Sequence, residues 1–343
     1  SRSTVIPGYS ATEGIAALRL ATQQEKMVAM NQYARNGRLA LCIPAYNAEK
    51  FLPRLLTSAR QQHIPFDEIW LYNDCSTDGT AELAARLGAR VVSGEKNIGC
   101  SGGKNRLLQE TSCEWIHFHD ADDDLKPDFT TLARKWIDKP DAPDVVLFNY
   151  ESRRYEDEHL LMLREFDAQA LRTDPARYSI RNQINPYCGL YRRESLLRVG
   201  GYDEDPAVLY NEDCRFHMHL AFSGLSFDAE PQFAVINLER QGSMSGANKE
   251  KCARARLAVL QKAAREASPN LHREIGLEAW LNARQLGAFK AWDAMNEAID
   301  LAKEMGVARP EEEEKAWLRG FASMAPKLGF KWRAQFVAMR DGK

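Results

Sequence analysis

This 343-residue sequence predicts an α/β fold with a mostly parallel sheet flanked by helices. Three observations carry the prediction. Short apolar runs recur roughly every 20–30 residues in the first half of the chain. Helical patterns fill the gaps between them, which is how βαβ units read. After residue 246 the apolar spacing turns helical throughout, so an all-helical module follows the α/β part.

The elements follow in order. Residues 11–35 read as a polar amphipathic helix, with Ile15, Leu18, Met27 and Met30 on one side and Gly37 as its stop. Strands are expected at "LALCIP" (39–44), "EIWLYN" (68–73), "ARVV" (89–92), "EWIHFH" (114–119) and "DVVLFNY" (144–150). Helices are expected between them at 48–61, 79–87 and 101–110, with Asn47 and Thr77 or Asp78 as N-caps. A helix at 193–198, a turn at "VGGYDED", a helix at 212–222 and a strand around "FAVINL" come next. The tail offers helices at 249–266, 273–286, 288–304 and 311–323. Three units result: an N-terminal extension 1–37, an α/β unit 38–245 and a helical module 246–343.

Composition narrows the function classes. A net charge of −2 leaves no global footprint for nucleic acid or an acidic membrane. Seven scattered cysteines without a CxxC pair read as free thiols of a reducing cytosol and argue against a zinc site. No apolar run approaches the ~20 residues of a membrane span, and the N-terminus lacks an apolar signal core. The expected location is cytoplasmic, including the inner face of a membrane.

In an open parallel sheet, ligands bind beyond the carboxyl ends of the strands. There the chain places "PAYNAEK", "NDCSTDGT", "SGEKNIGCSGGKN" and "HDADDD". One crevice would collect Asn47, Asp74, Asp78, Asn97, Lys104 and the acidic knot at 120–124. Asp78 and Gly79 read first as turn formers. Asp74 directly follows a strand and can accept from a ribose or a base N–H. Lys104 either steadies a phosphate or lies on a solvated helix face. "GCSGGKN" misses the phosphate-loop spacing, and no G-x-G-x-x-G follows the first strand. Asp120 and Asp122 alternate on an extended segment and can face one hard cation, Mn²⁺ or Mg²⁺. His117 and His119 read as strand residues more than as ligands. Glu212 and Asp213 open a helix, where a carboxylate is either a cap partner or a general base.

Seven segments in order, "IPAYNAEKFLPRLLTSARQQ", "NDCSTDGT", "NIGCSGGKNRLLQ", "HDADDDLKPD", "GLYRRESLLRVGGYDED", "NEDCRFHMHLAFSG" and "RQGSMS", resemble the family 2 inverting glycosyltransferases of GT-A fold. The resemblance covers about residues 38–245. It implies a nucleotide-sugar donor, usually a UDP-sugar, and a carbohydrate or lipid-linked acceptor. Pro44, Ala45 and Tyr46 would line the nucleotide pocket, with Asp74 accepting from uracil. Asn97, Lys104 and Asp120 would lie near ribose and diphosphate. Asp122 would hold the metal, with water or Asp120 completing the shell. Asp213 of the Glu212-Asp213 pair would be the general base. Arg240, Ser243 and Ser245 resemble a loop closing over the diphosphate. Two departures stand out: Asn73 where the family commonly has an acidic residue, and Cys75 where it has glycine. The processive signature Q-x-x-R-W is absent, which points to transfer of one sugar per encounter.

Rival readings are a nucleotide-sugar-binding partner subunit without catalysis and a nucleotidyltransferase; "PAYNAEK" is not the loop the latter needs. In the tail, Phe330, Trp332 and Phe336 alternate with Lys327, Lys331, Arg333 and Arg340. Docking on the catalytic unit, contact with a membrane surface and homodimerisation all fit that pattern.

Overall fold

A computed structural model describes residues 37–240, 242 and 244–310. The expected helices at 11–35 and 311–323, the aromatic–basic tail and Ser243 lie outside the described residues. Through the first half, strands and helices alternate as β1 (Leu39–Ala45), α1 (Leu52–Arg60), β2 (Glu68–Asn73), α2 (Thr80–Arg86), β3 (Arg90–Ser93), α3 (Gly99–Glu110) and β4 (Trp115–Phe118). Next come β5 (Asp124–Leu125), α4 (Phe129–Ile137), β6 (Val145–Arg154), β7 (Leu160–Arg164), α5 (Ala168–Thr173) and α6 (Pro175–Arg181). After them lie β8 (Gly189–Arg192), α7 (Arg193–Val199), α8 (Glu212–Phe222) and β9 (Phe227–Glu239). The helices α9 (Met244–Ala247), α10 (Lys249–Glu266), α11 (His272–Ala288) and α12 (Trp292–Glu304) follow.

One sheet runs β3-β2-β1-β4-β8-β6-β9-β5, with β7 also paired to β6. The β3-β2-β1-β4 half is parallel, as the βαβ pattern predicts. Beyond β4 the sheet is mixed: β8 is antiparallel to both β4 and β6, and β9 is parallel to β6. In β1 every residue but Pro44 is buried, because the strand has neighbours on each side and helices over its faces.

Register sets where the strand tips fall. Ala45 of β1 is level with Asn73 of β2, and Asn73 with Ser93 of β3. β4 stops beside Cys42, three residues before β1 ends. The acidic stretch therefore starts inside the sheet edge, which is why it is partly desolvated. β5 then pairs with β9, Asp124 opposite Ile236, and carries the stretch across to the far strands.

Several boundaries differ from the sequence reading. Helix α1 begins at Leu52 rather than 48, with Pro53 in its first turn, where the missing N–H costs nothing. Asn47 is therefore not its N-cap; residues 48–51 form a turn closed by Phe51 N–H donating to the Ala48 carbonyl. The N-cap of α2 is Gly79, while Asp78 ties Thr80 and the Glu49 N–H. Strand β9 starts six residues before "FAVINL", and its register against β6 slips at Pro231 and Gln232. Proline cannot donate to a ladder, so the strand bulges there.

Two apolar cores form. The larger packs Ile43, Leu71, Phe118, Phe129 and Phe148 around the sheet. In the second, Ile180 of α6 and Met218 of α8 pack with Leu260, Ile275, Trp280 and Ile299. The C-terminal helices thus share a core with the helix that opens on Glu212 and Asp213. Among the described residues no helix is long and apolar enough to cross a membrane.

Candidate active site

Parallel strands bring their carboxyl ends to one edge, and the loops after β1, β2 and β4 meet there. Tyr46, just past the tip of β1, is 55% exposed, whereas Ala45 is buried and Pro44 half-buried. Asn47 adopts a φ of 50° and turns its side chain to the neighbouring loop, accepting from the Thr77 N–H at 2.8 Å. Its backbone N–H donates to Ser76 Oγ at 3.0 Å. Asn47 thus braces two strand tips against each other.

Asp74 is buried and faces the N-terminus of α3. Its carboxylate oxygens accept from the Ile98 N–H at 2.7 Å and the Gly99 N–H at 2.9 Å. Each oxygen keeps a second lone pair for another donor. Asn97 donates to the Asp74 carbonyl at 3.2 Å, fixing the same loop.

Lys104 is not on a solvated face. It is 1% exposed on α3, and its Nζ lies 3.3 Å from Asp213 Oδ1 and 4.0 Å from Asp120 Oδ1. Tyr202 covers it, with the ring centroid 4.9 Å from Nζ. Burial works against the ammonium, but the charges of Asp213, Asp120 and Glu212 outweigh it and hold Lys104 charged well above its usual range. The carboxyls move the other way. Burial pushes Asp213 up to about 7, with the charge of Glu212 adding to it and Lys104 opposing. Asp120 rises to about 6, again by burial, with Lys104 opposing and Asp213 and Asp122 adding to the rise. One cation serves two carboxylates here, so neither is fully compensated.

The rest of the acidic knot is divided among separate partners. Asp122 Oδ2 accepts from Arg240 Nε at 3.1 Å and Nη2 at 3.0 Å, and the guanidinium stacks over Phe51 at 4.7 Å. Asp124 pairs with Arg54 at 3.0 Å. Asp123 turns inward and accepts from the Leu238 N–H at 2.7 Å and from Asn237 Nδ2 at 3.0 Å. Burial, with the neighbouring charges of Asp122 and Asp120, holds the Asp123 carboxyl well above its usual range. Asp123→Asn keeps an acceptor and should be tolerated. Asp123→Ala leaves the Leu238 N–H unpaired and should cost about 1–3 kcal/mol, read from denaturant unfolding.

Among the described residues no group of three or more His, Cys, Asp or Glu side chains is arranged to hold a metal ion. Asp120 and Asp122 have side chains about a third exposed to the crevice, at 33% and 31%. Arg240 engages only one oxygen of Asp122. Two oxygen donors of this kind fit a hard divalent ion that draws its remaining ligands from water and phosphate. The imidazoles take no part: His117 Nδ1 bonds the Gly189 carbonyl at 2.8 Å, and its Nε2 bonds His119 Nδ1 at 3.0 Å. Burial pushes His117 down to about 4, so the ring is neutral.

Glu212 and Asp213 occupy the first turn of α8. His217, one turn on, bonds the Asp213 carbonyl through Nδ1 at 2.8 Å and Tyr191 Oη through Nε2 at 2.8 Å. Tyr202 stacks on Phe216 at 3.7 Å, and Asn105 clamps its backbone at both N–H and carbonyl. These supports were not singled out from the sequence, and Asp123 was read only as part of the acidic knot. The i, i+4 spacing of Asp213 and His217 was the one signal for them.

Residues 40–200 match the family described as Glycosyl transferase family 2. Over 117 residues the chain is 31% identical to the poly(ribitol-phosphate) beta-N-acetylglucosaminyltransferase TarS of Staphylococcus aureus, covering 32% of this chain and 20% of that protein. Over 103 residues it is 30% identical to the succinoglycan biosynthesis protein ExoO of Rhizobium meliloti, covering 29% of each. The match thus spans less than a third of either relative. A solved structure of S. aureus TarS 1–349 in complex with UDP-GlcNAc superposes with a TM-score of 0.64 at 17% identity, covering 89% of this chain and 92% of that one. The mannosyltransferase PcManGT from Pyrobaculum calidifontis, in complex with GDP-Man and Mn²⁺, gives 0.56 at 19% identity, covering 94% and 95%. Residues 40–200 thus carry the match to glycosyl transferase family 2, and around them strand tips, acidic loop and helix α8 are arranged about one crevice on a sheet of GT-A fold.

Proposed function

We propose that the chain is a metal-dependent, inverting and non-processive glycosyltransferase. It moves a sugar from a nucleotide-sugar, a UDP-sugar in the first instance, to an acceptor hydroxyl in surface polysaccharide or glycoconjugate synthesis. The observation that carries this is the buried Lys104 joining Asp213 to Asp120 at the convergent strand tips. A base candidate and a diphosphate-side carboxylate share one crevice, as a transfer between two bound substrates requires. The reading takes the α/β unit at 38–245 as the catalytic part and 246–310 as helices buttressing α8. Seven free cysteines fit work in a reducing cytoplasm, at the membrane face or away from it.

In this reading Tyr46, Pro44 and Ala45 frame the nucleotide base, and Asp74 accepts from it with a spare lone pair. Asn97 holds the loop that borders the ribose. Asp122, with Asp120, would hold Mn²⁺ or Mg²⁺. When bound, the ion acts as a Lewis acid that offsets charge on the departing diphosphate. Arg240 sits at the same edge and screens Asp122 until donor arrives. Asp213 takes the proton from the acceptor hydroxyl as its oxygen bonds the anomeric carbon. The nucleotide diphosphate leaves from the opposite face, so the configuration inverts. Glu212, in the same helix turn, raises the proton affinity of Asp213 through its like charge. Closing the crevice excludes water and limits donor hydrolysis.

A thermal-shift screen of UDP-, GDP- and dTDP-sugars with and without Mn²⁺ tests the donor class. Donor hydrolysis then separates an enzyme from a non-catalytic binding subunit. Asp122→Ala should weaken UDP binding in Mn²⁺ at least tenfold by calorimetry and leave metal-free binding within about twofold, since one charged ligand contributes over 1.4 kcal/mol. Unchanged affinity in Mn²⁺ would remove Asp122 from the metal site.

A further inference from the structure

Strand β7 breaks the pattern of the rest of the sheet. Leu160, Leu161, Met162 and Leu163 are 43%, 43%, 47% and 51% exposed. Four consecutive large apolar residues on a strand put apolar surface on both of its faces. One edge is bonded to β6, with Ser152 opposite Met162 and Glu151 opposite Leu163. No strand among the described residues pairs with the other edge. An open apolar edge of this kind promotes association unless something covers it.

Two needs must be met together: covering the side chains and pairing the outward N–H and C=O groups. A lipid surface meets the first and leaves the second unsatisfied. Another strand meets both. The β7 sequence is also self-complementary when reversed about Met162. Leu161 then faces Leu163, Leu160 faces the stem of Arg164, and His159 faces the carboxylate of Glu165. No like charges oppose each other within 159–165. A two-fold axis through Met162 makes each contact occur twice.

We propose that two copies of this chain associate through antiparallel pairing of their β7 strands about Met162, extending the sheet across the dimer. The inference is independent of the catalytic reading, since β7 contributes no residue to the crevice.

Sedimentation velocity on the full chain, up to about 100 μM, a range that detects micromolar association, should show a species of twice the 38.9 kDa chain mass. The double variant Leu161→Lys/Leu163→Lys sets lysines against each other across the axis. It should sediment at the single chain mass and keep the melting temperature that wild type shows at concentrations too low for pairing, because both residues are exposed. Met162→Cys provides a positive readout. Opposed Cα atoms in an antiparallel pair lie within disulfide reach, so mild oxidation should give a cross-linked dimer on a non-reducing gel, absent in wild type. A wild-type chain that stays single at every concentration overturns the proposal. So does a dimer that survives the double lysine variant, which places the interface elsewhere. A single wild-type chain that co-sediments with phosphatidylcholine–phosphatidylglycerol vesicles, while the lysine variant does not, overturns it in favour of lipid.

Discussion

Asp213→Asn lowers sugar transfer by roughly 10²–10⁴-fold, the usual contribution of a general base, and leaves UDP affinity nearly unchanged. The amide keeps the size of the carboxyl, and its Oδ1 can still accept from Lys104, now 3.3 Å away. What it loses is the ability to take a proton. The wild-type pH profile provides a second check. Burial raises the Asp213 carboxyl to about 7, against an ordinary value of 3.8. The protonated form is the inactive one and fills as pH falls, so activity should drop about tenfold per unit below pH 7 and level off above it. In Asp213→Asn the residual rate should lose that acidic limb. Transfer near the wild-type rate would move the role of base to another group, and Glu212→Gln is the next variant to assay.

The parallel half of the fold was legible because strands buried on both faces leave continuous apolar runs. β1, β2 and β4 read directly from "LALCIP", "EIWLYN" and "EWIHFH", the last a residue too long at each end. The mixed half was harder. β8 has four residues and runs directly into α7, so its strand signal is lost in the helix that follows. β9 is interrupted by Pro231, and only its second part, "FAVINL", carries a continuous apolar run. β7 is a run of exposed apolar residues, "LLML", where the sequence reading has no strand. At the site, residue types at the strand tips were readable from local sequence, since turn-forming and acidic residues cluster there. Their partners were not. Asp120, Asp122, Asp123 and Asp124 pair respectively with Lys104, Arg240, the Leu238 backbone and Arg54, between 16 and 118 positions away. Such pairings depend on sheet order, and no local periodicity encodes them. The burial of Lys104 is the clearest case, because a lysine in "SGGKNR" reads equally well as solvated.

Lys104→Met is the variant with the widest consequences. Methionine fills nearly the same space against Tyr202, so the change is chiefly electrostatic. The ammonium is the group that opposes burial at both Asp213 and Asp120. Without it, the two carboxylates face each other in a desolvated crevice, and protonation becomes the cheaper state for each. The acidic limb of the pH–rate profile should therefore move to higher pH, by at least about one unit, since a single charge at this distance in a partly buried site is worth more than 1.36 kcal/mol. At pH 7 the loss of activity is large, and raising the pH restores part of it, which a misfolded variant would not do. Stability falls as well: removing one partner of a buried pair costs about 3–5 kcal/mol when the other stays charged. Protonation of Asp213 relieves part of that cost, so the drop in melting temperature should be larger at pH 8 than at pH 6. A pH–rate limb left in place, with an equal drop in melting temperature at both pH values, would show that Lys104 acts on packing alone and that the charge of Asp213 is set elsewhere.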